Sequence, residues 1–240
     1  MENIHYHNNI DCLKRISAAL VIFFVVILCR GIPLLAGDDV FLPFLDKGQA
    51  WDVMAEYRSF PRTDNRWSPS VLFHYTVSGE TRAGDKEIDV RGEGDTGTGR
   101  ISFRDGTYLH GVETSKRIRG KWHKRTLSFD EKVPVKTREA PFPFDWPVFP
   151  LRPGETAGFS AVIRLDDGLM AKRIIRQKVE TVPCQELPDP VDLKGDMGPF
   201  FKVICVDDHG ETLFVQYWAQ GLPWPVYGEN QDMRYWLVLE

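Results

Sequence analysis

From Val71 onward the chain alternates apolar and polar residues in short runs, and nearly every run stops at a turn built on Gly or Asp. Alternation with period two puts every second side chain on one face of a strand, and it is incompatible with a helical face. Val71, Phe73, Tyr75 and Val77 share one face, and His74 falls on the opposite, solvent-facing one. Glu87–Arg91 repeats the pattern through Ile88 and Val90. Ile101–Arg104 turns through Asp105-Gly106 into Thr107–His110, a hairpin signal. Further strands are predicted at Lys121–Phe129 and Phe159–Leu165, with Asp166-Asp167-Gly168 turning the latter into Met170–Val182. Phe201–Val206 and Leu213–Trp218 form a hairpin around Asp207-Asp208-His209-Gly210, and Arg234–Leu239 closes the chain. About nine or ten strands at regular spacing predict an all-β sheet, sandwich or barrel rather than a parallel α/β fold.

One departure from β is expected. In Gln49–Tyr57, Trp51, Met54 and Ala55 lie at three–four spacing, which predicts a short helix stopped by Pro61. The stretch Pro141–Pro153 carries five prolines. Proline lacks the ladder donor, so this stretch is excluded from a central strand. It reads as the link between two halves of one sheet, since neither half has a clear core of its own. The organisation predicted is a signal segment at 1–37, an N-terminal extension with the short helix at 38–68, and a single antiparallel β domain at 69–240.

Residues 1–37 differ in composition from the rest. Lys14 and Arg15 precede an apolar run from Ala18 to Cys29, and Ala36-Gly37 follow. A basic region, a short apolar region and small residues mark a cleaved secretory signal, which predicts a periplasmic protein. The run is shorter than the roughly 20 residues of a membrane-spanning helix. An uncleaved membrane anchor is the alternative. Removing residues 1–36 leaves a net charge of about −5, which gives no electrostatic reason to expect nucleic acid as a partner. Export leaves Cys184 and Cys205 as an even pair in an oxidising compartment, so a disulfide is expected between them. It would close a loop of about 20 residues and stabilise by about 3 kcal/mol in the chain-entropy model. Two buried free thiols or a metal pair are the other readings.

Few motifs carry chemistry. Gly92-Glu93-Gly94-Asp95-Thr96-Gly97 fits the spacing of a dinucleotide loop, but no helix follows and Glu93 and Asp95 would repel phosphate, so it reads as a hairpin loop. No G-x-S-x-G elbow or metal motif occurs, and His74, His110, His123 and His209 are scattered. No cofactor or metal is expected. Asp145, between Phe144 and Trp146, is the carboxylate whose apolar neighbours would raise its pKa. It is the candidate for a carboxylate-dependent hydrolase, although a structural role in a proline-rich loop is the plainer reading. The basic run Lys116–Arg125 reads as a solvated hairpin face, with an anionic-lipid or polyanion contact as the sharper alternative. Two aromatic clusters, Phe142–Phe149 and Tyr217–Tyr227 followed by Tyr235-Trp236, suit either an apolar pocket or a core plug.

The order and spacing of several of these segments resemble those of periplasmic proteins of unassigned function, whose fold is similar to the outer-membrane lipoprotein carriers of the LolA/LolB half-barrel type. The segments are Val71–Val77, the crossing Pro141–Pro153 with Arg152-Pro153-Gly154-Glu155, the hairpin Phe159–Val182, Gly198-Pro199-Phe200 before Phe201–Val206, and Leu222-Pro223-Trp224-Pro225. The resemblance spans Trp67–Glu240. It implies a curved antiparallel sheet, a half-barrel or open barrel, wrapped around a short helix or loop to leave an open apolar cavity. It implies no enzyme. The expected function is non-enzymatic binding of an apolar or amphipathic ligand, a lipid or acylated protein, with Trp146, Phe149, Trp218, Trp224 and Trp236 lining the cavity. A cell-envelope assembly or structural factor that binds another protein through its sheet edge is the alternative. The cysteine pair and the proline-rich crossing depart from the carriers.

Overall fold

The computed structural model describes residues 40–239, except 59–65, 82–83, 95, 105–106, 119, 130–131, 137–140, 165–169, 190 and 192–198. All of these lie in the unit Val40–Glu240. The signal segment expected at 1–37 and the turns at Asp105-Gly106 and Asp166–Gly168 fall outside the described residues.

Among the described residues, twelve strands form one antiparallel sheet. They are β1 (Ala50–Tyr57), β2 (Val71–Glu80), β3 (Lys86–Gly92), β4 (Thr98–Arg104), β5 (Tyr108–Ile118), β6 (Lys121–Ser128), β7 (Thr156–Arg164), β8 (Met170–Val182), β9 (Phe200–Val206), β10 (Thr212–Trp218), β11 (Tyr227–Asn230) and β12 (Met233–Val238). Their order across the sheet is β6-β5-β4-β3-β2-β1-β12-β11-β10-β9-β8-β7. Each strand pairs with its neighbour in sequence except at the centre, where β12 pairs with β1. The fold is therefore two six-stranded meanders. The proline-rich stretch carries the chain from the edge at β6 to the opposite edge at β7. The sheet is all-β and not closed, as the turn-punctuated alternation predicts.

The helix expected at Gln49–Tyr57 is not formed; Ala50–Tyr57 is the strand β1. Trp51, Val53 and Ala55 are buried on one face, so the period is two, and Met54 points the other way. Local spacing was ambiguous over so short a run, and pairing on both sides, with β2 and β12, decides it. The described residues of the extension expected at 38–68 thus include a central strand of the sheet.

The sheet curls around the crossing stretch. In a flat sheet β4 and β10 would stand about 29 Å apart, six spacings of about 4.8 Å. Yet the Trp146 ring lies 4.3 Å from that of Phe103 on β4 and 5.5 Å from that of Trp218 on β10, between centroids. The face turned toward Trp146, here the inner face, is lined by Phe73, Tyr75, Ile88, Ile101, Val203, Phe214 and Tyr235, all essentially without exposure. Residues Phe142–Phe149 are buried throughout. The crossing enters at Gly99 on β4, where an added Cβ would collide with the Phe142 ring.

A proline-rich chain cannot satisfy its carbonyls by joining a ladder, and an unsatisfied buried carbonyl is costly. Inner-face side chains make up the shortfall. Tyr57 donates its hydroxyl to Pro141 O at 2.8 Å and Tyr75 to Pro143 O at 2.6 Å. Gln216 Nε2 donates to Asp145 O at 2.7 Å. Gln177 clamps Val148 from both sides, accepting from its N–H and donating to its carbonyl, each at 2.8 Å. Two backbone bridges, Val135 with Trp146 and Phe41 with Leu151, add to these. Each of these polar side chains sits at an inward position of a strand, so the sheet is built to receive this particular segment.

Candidate functional site on the outer sheet face

Four of the five aromatic residues expected to line a cavity meet inside the sheet. Trp146 packs against Phe149 at 5.1 Å, Trp218 at 5.5 Å and Trp224 at 5.6 Å, and Phe149 against Trp218 at 5.1 Å. None of the four is more than 1% exposed. The crossing segment thus occupies the space that the half-barrel resemblance leaves open. Trp236 lies on the opposite, outer face, paired across the sheet with Met54 and Tyr227.

Asp145 is also fully buried. Its Oδ2 accepts from Asn230 Nδ2 at 2.8 Å and stands 3.4 Å from the Tyr235 hydroxyl. Gln216 Nε2 also reaches that hydroxyl, at 2.7 Å, and Gln216 Oε1 accepts from the Trp218 indole at 3.1 Å. Burial pushes the Tyr235 hydroxyl far above its ordinary pKa, and the adjacent Asp145 carboxylate adds to the effect. The network ties the crossing to β10, β11 and β12. Sequence reading singled out Asp145 but missed its partners. Their signal was present: Gln216 and Tyr235 are polar-tipped residues at inward positions of apolar strands.

The cysteines are a correction. No disulfide joins Cys184 and Cys205; both are free thiols. Cys205 belongs to the inner core, its thiol 3.9 Å from Gln177 Oε1, whereas Cys184 follows β8 and packs on the outer apolar cluster. Sequence spacing gave a plausible loop but not the face to which each residue points. Burial, with a further contribution from Asp145, holds the Cys205 pKa well above normal, and the thiolate is the reactive form. In a Cys12→Ser/Cys29→Ser background, one thiol, Cys184, should label rapidly with an aromatic disulfide reagent. Cys205 should label only on unfolding. Two thiols that both resist labelling until reduced would contradict this.

The outer face has two characters. Over β2–β4 it is charged and solvated: His74 Nδ1 lies 2.6 Å from Asp52 Oδ1, and Arg100 donates to Asp89 at 2.8 Å. Over β9–β12 it turns apolar. Tyr217, Tyr227, Val182, Phe200 and Val226 form a second buried cluster, against which Leu187, Val191, Val215 and Trp236 pack. The chain after β8 covers part of this cluster.

Beside that cover lies a cleft of about 570 Å³, within the size range of small-molecule sites. Cross-strand pairing makes its floor: Tyr217 pairs with both Tyr227 and Lys202, and Val215 with Ile204 and Glu229. Pro188, Arg58, Thr212 and Gln231 contribute to the lining. Lys202 Nζ stands 5.6 Å from the Tyr217 ring centroid. The Tyr227 hydroxyl donates to Glu229 Oε2 at 2.7 Å, and burial together with that bond raises its pKa. Arg58 Nη2 is 3.9 Å from Glu229 Oε1. Its guanidinium lies 4.9 Å from the Trp67 ring, whose neighbour on the other contact is Arg234 at 4.8 Å. Arg234 is itself held by Glu56 at 2.7 Å. Arg58 Nε is buried and makes no hydrogen bond. Two cations against one carboxylate give the cleft a positive bias above an aromatic and aliphatic floor. Among the described residues, no group of three or more His, Cys, Asp or Glu is placed to hold a metal ion.

No family model matches the chain, and no curated protein or solved structure does. The class that the structure defines is an open twelve-stranded antiparallel sheet filled by its own connecting segment.

Proposed function

We propose that this is a non-enzymatic binding protein of the cell envelope, which holds an amphipathic ligand in the outer-face cleft. The observation that carries the reading is the cleft's composition. Tyr217, Tyr227, Ile204 and Val215 offer apolar and aromatic surface, and Lys202 and Arg58 stand at hand for an anionic group. Ligand sites are mostly apolar with a few placed polar groups, and this cleft has that balance. The signal-like segment at 1–37 supports an exported location. The likeness to lipoprotein carriers belongs to the same reading, with the ligand moved outward because aromatic side chains of the crossing fill the inner face.

The test uses a fluorescent palmitate as probe. Ile204 is half-buried at the cleft floor, so Ile204→Trp should fill the cleft without disturbing the core. Saturable probe binding to the wild type should fall at least tenfold in the variant, with the melting temperature unchanged. Lys202→Ala should weaken palmitate more than a neutral long-chain alcohol. Equal binding by wild type and Ile204→Trp would refute the site.

A further inference from the structure

The hairpin of β5 and β6 leaves the body of the sheet. Val112 is fully buried and Thr114 is 8% exposed, but Lys116 and Arg117 beyond them are exposed, as are Lys121–Thr126 on the returning strand. From Thr114 to Phe129 the chain carries six cations, Lys116, Arg117, Arg119, Lys121, Lys124 and Arg125, and no carboxylate. The whole chain has a net charge of −4, so the remainder is strongly negative. Cross-strand pairing sets Lys116 opposite His123 on one face, and Arg117 opposite Trp122 on the other. Both faces of the arm are therefore basic, and β6 is the edge of the sheet. Trp122 is the exception in composition: a large aromatic, 56% exposed, in the middle of this charged strand.

We propose that the β5–β6 arm docks the protein onto an anionic phospholipid surface, with Trp122 seated at headgroup level. Basic residues close to an anionic leaflet are attracted by its surface potential, and indole rings favour the membrane–water interface. Charge on both faces of the arm suits entry among headgroups from above. A protein groove would need the charge on one face. The negative remainder of the chain is repelled by the same surface, which orients the body away and leaves the arm as the point of contact.

The experiment is flotation of the full chain with vesicles of phosphatidylcholine alone, or of phosphatidylcholine mixed with phosphatidylglycerol. Lys14, Arg15 and Arg30 flank the apolar run at Ala18–Cys29 and add to the increment on the anionic vesicles in every variant alike, so the arm is read from what its own substitutions remove. That increment should be large and should shrink as salt rises. Lys121→Ala/Lys124→Ala should reduce it roughly 25-fold, at about fivefold per cation. Lys116→Ala/Lys124→Ala, drawn from both strands, should lose as much, and serves as the second pair if the first is poorly folded. Trp122→Ser should weaken partition while leaving its salt dependence intact. Ile204→Trp should change nothing here, which separates this docking from ligand binding in the cleft. Equal partition onto both vesicles, or wild-type partition by both lysine pairs, would overturn the proposal. So would retention on immobilised polyglutamate without binding to the anionic vesicles, since it would assign the arm to an acidic polypeptide.

Discussion

Trp146→Ala is expected to lower the free energy of unfolding by about 4 kcal/mol, the range for truncating a large aromatic in a packed core. Trp146 is 1% exposed and lies within 5.6 Å, centroid to centroid, of Phe103, Phe149, Trp218 and Trp224. Its indole N–H donates to Thr107 O at 3.3 Å, so truncation also strands a carbonyl of the β4–β5 turn. The two meanders meet along the β1–β12 ladder and around this plug, so a cavity at Trp146 weakens both halves together. Urea denaturation followed by tryptophan fluorescence measures the loss. Trp236→Ala is the control. That side chain is only half-buried on the outer face, and its removal should cost less than half as much. Equal costs would mean that the crossing segment is not the centre of the core.

Asp145→Ala is expected to cost about 3 kcal/mol, by a different mechanism. A buried donor left without its acceptor carries its full desolvation penalty. Removing the carboxylate strands Asn230 Nδ2 and leaves the Tyr235 hydroxyl with Gln216. Asn230 also accepts, through Oδ1, from the N–H groups of Asp232 and Met233 at the β11–β12 turn, so its displacement unsettles that turn. Asp145→Asn retains an acceptor of the same shape and should lose less than half as much. This pair of variants also bears on the hydrolase alternative. A fully buried carboxylate held by Asn230 and Tyr235 predicts lost stability as the main consequence of substitution. A hydrolytic activity abolished by Asp145→Asn at unchanged stability would restore the catalytic reading.

The strands were the most legible part of the sequence. Val71–Val77 shows why: four large apolar residues at strict period two admit one structure, and its inner and outer faces follow directly. The short run Gln49–Tyr57 shows the limit. Trp51, Met54 and Ala55 also fit a helical face, and pairing with β2 on one side and with β12, some 180 residues later in the chain, on the other selects the strand. Such pairing leaves no local trace. The proline-rich crossing was legible as a link and as a non-strand, but not as the plug of the sheet. Its fate depends on Tyr57, Tyr75, Gln177 and Gln216, which lie 29 to 84 residues away from the carbonyls they satisfy. For the site, the aromatic residues were found but not their faces. Tyr217 and Trp218 are adjacent in sequence, yet Trp218 fills the inner core and Tyr217 floors the outer cleft. A one-residue step changes the face, so a cluster counted by composition mixes core with site. Cys184, in the segment after β8, and Cys205, on β9, are likewise divided between the outer cluster and the inner core, although their even count suggested a bond.

The most direct measurement is photolabelling with a diazirine-bearing palmitate, followed by mass mapping of the modified residues. The account predicts labels on the outer cleft, in Lys202–Val215 and Tyr227–Gln231, suppressed by Ile204→Trp. Labels concentrated on Phe142–Leu151 and on Trp224 would contradict it, because they would place the ligand inside the sheet, where the crossing segment now lies.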